Sequence, residues 1–132
     1  MILRTLGRTL VLTLLPAGLF ATAASAHVQL VTVTMSNYSF APATMDLLAG
    51  SDYQLHLVNT TNKGHDFSAP ELFADSTVAP DDRAKVKDGS VEVDAGATVD
   101  IRFTPGRKGT YKFRCTHFLH ATFGMTGTAT VE

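Results

Sequence analysis

The sequence contains a single cysteine, Cys115, among its 132 residues, and it contains no tryptophan. One cysteine excludes an internal disulfide, so a small disulfide-stapled fold is ruled out. The apolar run from Leu10 to Phe20 is too short to span a bilayer, and threonine and proline interrupt it. Basic residues do not outnumber acidic ones, 11 against 12, which argues against nucleic acid as a partner. The hydrophobic fraction of 45% is enough for a packed core.

The first residues have the pattern of a secretory signal peptide. Arg4 and Arg8 precede the apolar run, and Ala24-Ser25-Ala26 supplies the small residues that a signal peptidase requires. We therefore predict a signal peptide over 1–26, cleaved after Ala26, and one mature domain over 27–132 in the periplasm. The mature chain would carry nine basic and twelve acidic residues, a net charge of −3. In an oxidising compartment an unpaired cysteine is a liability unless it is buried, reactive or bound to metal.

Short segments of alternating apolar and polar residues, separated by turn residues, make up the rest of the chain. This period of two predicts half-buried strands. About seven to eight strands in one domain of this length predict an all-β antiparallel sandwich or small barrel. The stretch from Pro70 to Arg83 lacks the period, and Glu71–Ala74 could form a single helical turn. The predicted strands are centred on Val31–Met35, Thr44–Leu48, Tyr53–Val58, Val91–Asp94, Val99–Thr104, Tyr111–Thr116 and Thr126–Val131.

The segment that contains the lone cysteine carries three potential metal ligands at regular spacing. Cys115 lies on the inward face of a predicted strand, and His120 and Met125 follow it at intervals of five residues. His65, which follows the loop Asn59–Gly64, is the candidate for a second imidazole. Two histidines, a cysteine and a weak methionine are the ligand set of a blue-copper site. Singly, these residues also fit structural roles as a buried thiol, a core methionine and a turn histidine, but their joint spacing favours metal binding.

Two segments resemble a known family. The run Tyr111–Cys115, His120 and the run Gly124–Thr128 together resemble the C-terminal ligand loop of the cupredoxins, the small type 1 blue-copper proteins. The run Asn62–Phe67 is similar to the segment that carries the upstream histidine in that family. The resemblance covers nearly the whole mature chain in strand order. It implies a Greek-key β-sandwich and one mononuclear copper site with the ligands His65, Cys115, His120 and Met125.

The resemblance also implies a supporting role for the residue after the upstream histidine. That position is commonly Asn or Asp in cupredoxins, and here it is Asp66. A hydrogen bond from Asp66 to the chain near Thr116 would brace the ligand loop and tune the site. The alternative is a surface aspartate without a role.

The spacer between the cysteine and the histidine departs from the family pattern. Many members have Pro-Gly there, whereas this chain has Thr116-His117-Phe118-Leu119. His117 could replace or supplement His120 as a copper ligand, or it could be an ordinary loop residue. Phe118, Leu119 and Phe123 could form an apolar collar around His120 at which a protein partner docks, or they could pack within the loop.

Two further histidines complete the inventory. Cleavage after Ala26 would make His27 the new N-terminus, where a free amine and an imidazole together could chelate Cu(II). The alternative is that His27 merely follows the cleavage site and binds no metal. His56 alternates with the apolar residues of its strand, and we predict that it is not a ligand.

Three functions remain open from the sequence. The first is an electron carrier that cycles Cu(I)/Cu(II) and exchanges electrons with a redox protein. The second is a copper-handling protein that buffers copper or delivers it to an acceptor protein through the same ligands. The third is an enzyme that uses His27, for which no second ligand is evident, so we predict that the chain is not an enzyme. We expect the mature form to be a monomer without a membrane span.

Overall fold

The computed structural model describes residues 27–132, which form two β-sheets, one short α-helix and one 3₁₀ helix. The predicted signal peptide over 1–26 lies outside the described residues. No helix in the described part is both long enough and apolar enough to cross a membrane. The elements are β1 (Gln29–Ser36), β2 (Ser39–Ala41), β3 (Thr44–Leu47), β4 (Tyr53–Asn59), β5 (His65–Ser68), α1 (Pro70–Ala74), β6 (Ser76–Val78), the 3₁₀ helix (Pro80–Lys85), β7 (Ser90–Val93), β8 (Thr98–Pro105), β9 (Gly109–Arg114) and β10 (Thr126–Val131).

Each sheet contains five strands. The order in the first sheet is β2-β1-β4-β8-β6, and the order in the second is β3-β10-β9-β5-β7. The predicted all-β sandwich is confirmed, with short additional strands such as β2 and β6. Two pairs, β1 with β4 and β3 with β10, are parallel, whereas the prediction was antiparallel. A parallel pair requires a crossover connection, and β2 and β3 supply the one between β1 and β4.

The two sheets share one apolar interior. Leu55 and Leu57 of β4 are fully buried, whereas the intervening His56 faces outward because successive strand residues point to opposite faces. In the second sheet the rings of Phe67 and Phe113 stack with their centroids 4.7 Å apart. Each such side chain contributes about 1.5–3 kcal/mol when it is removed from water. The alternation seen in the sequence therefore places the core correctly.

The predicted helical turn is also present. Helix α1 spans Pro70–Ala74 and begins with its proline, a residue that the first helical position tolerates because its N–H would have no partner there. His56 lies on β4, and its Nδ1 is 2.6 Å from the Asp100 carboxylate on the neighbouring strand.

Three strand ends of the second sheet meet at one end of the sandwich. Strand β5 begins with His65, β9 ends one residue before Cys115, and β10 begins one residue after Met125. The loop between β9 and β10 is closed at its base, because the Cys115 N–H donates to the Met125 carbonyl over 3.1 Å. All four predicted ligands are therefore carried by the start of β5 and by the loop between β9 and β10.

Gly127 allows β9 and β10 to pack closely beside this loop. A Cβ atom at Gly127 would lie 2.2 Å from ring atoms of Phe113 and 2.5 Å from the carbonyl oxygen of Ala43. The ring of Phe113 thus occupies the space that any other residue at position 127 would need. A glycine is required here because of this close approach.

Candidate metal centre

Three donor atoms from His65, Cys115 and His120 converge at this end of the sandwich. The two Nδ1 atoms are 3.1 Å apart, and Cys115 Sγ lies 3.4 Å from Nδ1 of His120 and 3.8 Å from Nδ1 of His65. A metal ion bound about 2.0 Å from nitrogen and about 2.3 Å from sulfur in a trigonal plane has ligand-to-ligand edges of about 3.5–3.8 Å. The triangle already has nearly the size that a metal ion requires.

The donors are enclosed by the protein. His65 and Cys115 have no exposed surface, and His120 is 9% exposed. Met125 is fully buried as well, and its N–H donates to the carbonyl of His120 over 3.1 Å. A trigonal group of two imidazoles and a thiolate beside a thioether is a set of soft and borderline ligands that favours copper. The residues present fit one mononuclear copper ion.

Burial sets the protonation of the metal-free site. Burial raises the pKa of the Cys115 thiol to about 11. Burial lowers the pKa of His65 and of His120, and the neighbouring imidazoles lower both further. At neutral pH the imidazoles are therefore uncharged and able to bind a metal, whereas the thiol keeps its proton until a metal displaces it.

Asp66 joins β5, which begins with His65, to the residue that follows Cys115. Its carboxylate accepts hydrogen bonds from the N–H and the hydroxyl of Thr116 and from the hydroxyl of Ser90. Its own N–H points at Cys115 Sγ over 3.5 Å. Burial alone would raise the pKa of Asp66, but the hydrogen bonds from Thr116 and Ser90 outweigh it and lower the pKa. These are the contacts that the predicted bracing role requires.

His117 lies beside the triangle, but one of its ring nitrogens faces β7. Its Nε2 is 3.0 Å from both carboxylate oxygens of Glu92. Its ring is inclined by only 19° to that of His120, with the centroids 5.4 Å apart. His117 does not belong to the three-donor group found within residues 27–132. His117 is a neighbour of His120 in the structure, and its role as a ligand stays a prediction.

Three residues outside the predicted set contact the imidazoles. Nε2 of His65 lies 2.9 Å from Asn37 Oδ1 and 3.1 Å from Thr61 Oγ1. The ring of Tyr38 packs against His120 with the centroids 4.7 Å apart. Asn37 and Tyr38 directly follow β1, far along the chain from the ligand loop, so no motif spacing points to them.

The loop between β9 and β10 also exposes apolar side chains. Phe118 is 87% exposed, Phe123 60% and Leu119 44%. Phe123 packs against Tyr38 with the ring centroids 5.2 Å apart, and Tyr38 in turn covers His120. The collar predicted around His120 is therefore on the surface of the protein.

His27 lies at the other end of the molecule. It is exposed and precedes β1, whereas Asn37 follows β1 and contacts the metal centre. Ten residues of extended chain span about 30 Å. Within the described residues His27 joins no group of three metal-binding side chains.

Comparisons with known proteins agree with this architecture. The family model described as a cupredoxin-like domain matches residues 9–131. Auracyanin B is 23% identical, with a TM-score of 0.59 over 79% of this chain and 88% of its own. Dithionite-reduced auracyanin from the photosynthetic bacterium Roseiflexus castenholzii is 21% identical, with a TM-score of 0.59 over 83% of this chain and 99% of its own.

A domain of a metal transporter has the same fold. The metal-binding domain of the Cu(I)-exporting P-type ATPase CopA from Streptococcus pneumoniae D39, solved with Cu(I), is 16% identical, with a TM-score of 0.52 over 85% of this chain and 92% of its own. No curated protein sequence matches the chain. With its domain match, sandwich topology and enclosed donor triangle, the chain belongs to the cupredoxin family.

Proposed function

We propose that this chain is an exported electron carrier with one type 1 copper site, and that it is not an enzyme. The ligands are His65, Cys115 and His120, with Met125 as the weak axial ligand. The observation that carries the proposal is the buried triangle, whose donor atoms all lie within 4.8 Å of one another. Copper bound there supplies one-electron chemistry, and no substrate has to enter the site.

The protein can hold this geometry with little movement between oxidation states. The ligands lie at the start of β5 and in the loop between β9 and β10, and hydrogen bonds fix the groups behind them: Asn37 lies against His65, and Asp66 holds the chain after Cys115. A ligand set that the fold imposes reorganises little when the charge at its centre changes. Rigidity of this kind favours fast electron transfer.

His120 is the proposed point at which electrons leave and arrive. It is the only ligand in the described triangle with exposed surface. The apolar collar of Phe118, Leu119 and Phe123 is exposed on the loop that carries His120 and offers a docking surface for a redox protein. The charged N-terminal residues and the small residues before Ala26 support export to the periplasm.

An optical spectrum tests the proposal. The purified mature protein with Cu(II) should be intensely coloured by thiolate-to-copper charge transfer, and Cys115→Ser should lose the colour. His56→Phe, which removes a histidine that is not a ligand, should keep it. A colourless Cu(II) complex of the wild-type protein, or a coloured Cys115→Ser variant, would contradict a type 1 site.

Copper handling is the second candidate, and one observation favours it. His117 and Glu92 place an exposed imidazole and an exposed carboxylate directly beside the buried triangle, which a pure electron carrier does not require. Incubation of the Cu(I) protein with a metal-free acceptor and with an oxidised haem protein separates the two roles. Transfer of the metal supports handling, and transfer of the electron alone supports the carrier.

A further inference from the structure

The donor triangle has no open face through which a metal ion could pass directly. Two of its ligands have no exposed surface, and the third, His120, is 9% exposed. Tyr38 covers one side of His120, and Phe123 packs against Tyr38 in turn. In the described triangle, an ion that enters or leaves the site therefore has to pass at the His120 edge.

His117 and Glu92 lie beside this edge. Their side chains are 34% and 53% exposed. The ring of His117 stacks against that of His120, and it lies 6.4 Å from that of His65 between centroids. Gly64 leaves room for the pair, because a Cβ there would lie 3.1 Å from Glu92 Oε1 and 3.3 Å from His117 Cε1. The ring of His117 thus lies against that of His120, with the Glu92 carboxylate 3.0 Å from its Nε2.

Other donor groups near the triangle are engaged elsewhere. Asp66 is only 3% exposed, and its carboxylate accepts hydrogen bonds from Thr116 and Ser90. His56 forms a pair with Asp100 on the outer face of the first sheet. Among residues 27–132, His117 is the exposed imidazole that contacts a ligand ring.

The chain links His117 to His120 within one turn. The N–H of His120 donates to the carbonyl of His117 over 3.1 Å, and Leu119 between them has a φ of +63°. A non-glycine residue in this left-handed region is uncommon and fixes a tight bend. Copper could therefore pass between His117 and His120 by rotation of their side chains, without a change in the backbone of the turn.

We propose that His117 and Glu92 form a surface relay site through which copper reaches and leaves His120. The inference rests on the proposed copper function. An imidazole binds copper in either oxidation state, and an imidazole beside a carboxylate makes a weaker, more exchangeable site than the thiolate set behind it. If His117 held the ion through Nε2, the ring hydrogen would sit on Nδ1 and no proton would be lost; when the triangle held the ion, the proton of the Cys115 thiol would pass to solvent. No electron is exchanged in either step.

Release of Cu(I) to a chromophoric chelator tests the relay. The Cu(I) protein is mixed with excess bicinchoninate under argon, and the coloured chelate is followed by stopped flow. His117→Phe keeps an aromatic ring against His120 but has no donor, and it should slow release about tenfold. Glu92→Gln keeps the shape of the side chain and should slow release less. Circular dichroism verifies that each variant is folded.

The protein contains its own matched control. His56 and Asp100 form a second exposed imidazole–carboxylate pair, with side chains 33% and 44% exposed. His56→Phe and Asp100→Asn should release copper at the wild-type rate. Release from His117→Phe at the wild-type rate, or equal slowing in His56→Phe, would overturn the relay. The colour of the chelate measures copper release whether or not the copper protein is itself coloured. A colourless wild-type Cu(II) complex would therefore refute the type 1 site, and the release rates would still decide the relay.

Discussion

Replacement of both Asn37 and Thr61 should weaken copper binding, because these residues decide which nitrogen of His65 carries its hydrogen. Nε2 has two acceptors, Asn37 Oδ1 at 2.9 Å and Thr61 Oγ1 at 3.1 Å, so it keeps the hydrogen and leaves Nδ1 free. Without these acceptors the hydrogen moves to Nδ1, which can then donate to Nδ1 of His120 at 3.1 Å. A metal would have to reverse that change before it could bind.

The loss of copper affinity depends on how many acceptors remain for the Nε2 hydrogen of His65. Asn37→Leu leaves Thr61 as an acceptor and should cost about 1 kcal/mol, or about fivefold in Kd. Thr61→Val leaves the shorter bond intact and should cost less. The double variant leaves no acceptor at Nε2, and an unpaired buried donor costs about 1–3 kcal/mol, which corresponds to a Kd about 5- to 150-fold higher. The double variant should therefore lose more than the two single variants together.

Competition with a Cu(I) chelator of known affinity measures these constants. Asn62→Leu is the matched control, because it makes the same substitution at an exposed position of the neighbouring loop. Its Kd should equal that of the wild-type protein. If the double variant also binds copper with the wild-type affinity, these acceptors do not control His65 and the reasoning is wrong.

Two predictions concern the metal-free fold, measured by urea unfolding. Gly127→Ala should lower the free energy of unfolding by about 3 kcal/mol, because the new Cβ would meet the ring of Phe113 at 2.2 Å. The control Thr126→Ala, at an exposed position, should stay within about 0.5 kcal/mol of wild type. Equal stability of the two variants would refute the close approach as the reason for a glycine. The second concerns Asp82, where burial alone would raise the pKa, but hydrogen bonds from Lys85 and Arg102 outweigh it and lower the pKa from 3.8 to about 2. A depressed pKa stabilises the fold above the unfolded value, so about 2 kcal/mol should be lost as the pH falls from about 4 to about 2. Asp82→Asn should lack this part of the pH dependence, and an unchanged profile would contradict the assignment.

The ligand set could be predicted because most of it is local in sequence. Cys115, His120 and Met125 lie in one loop between two strands, so their spacing alone suggests a common site. His65 comes from another strand, but an asparagine-containing loop and the family resemblance point to it. The alternation of apolar residues likewise predicted the long strands, since burial of one face dictates that period.

The partners of the ligands could not be predicted, because the fold brings them from distant parts of the chain. Asn37 and Tyr38 reach the site only because β1 runs parallel to β4 and ends at the metal centre. Glu92 faces His117 because β7 pairs with β5, across 25 residues of sequence. The parallel pairings themselves leave no local signal, because a crossover can join strands in many orders.

Complete burial of the single thiol affects how the metal-free protein reacts with oxidants. With a pKa of about 11 at Cys115, only about one molecule in 10⁴ carries the thiolate at pH 7. The thiolate is the form that alkylating agents and peroxide attack, and the fold leaves none of the residue accessible to them. The apoprotein should therefore resist sulfenic acid formation and disulfide-linked dimerisation in oxidising surroundings. The same packing that shapes the site for an ion also preserves the empty protein until one arrives.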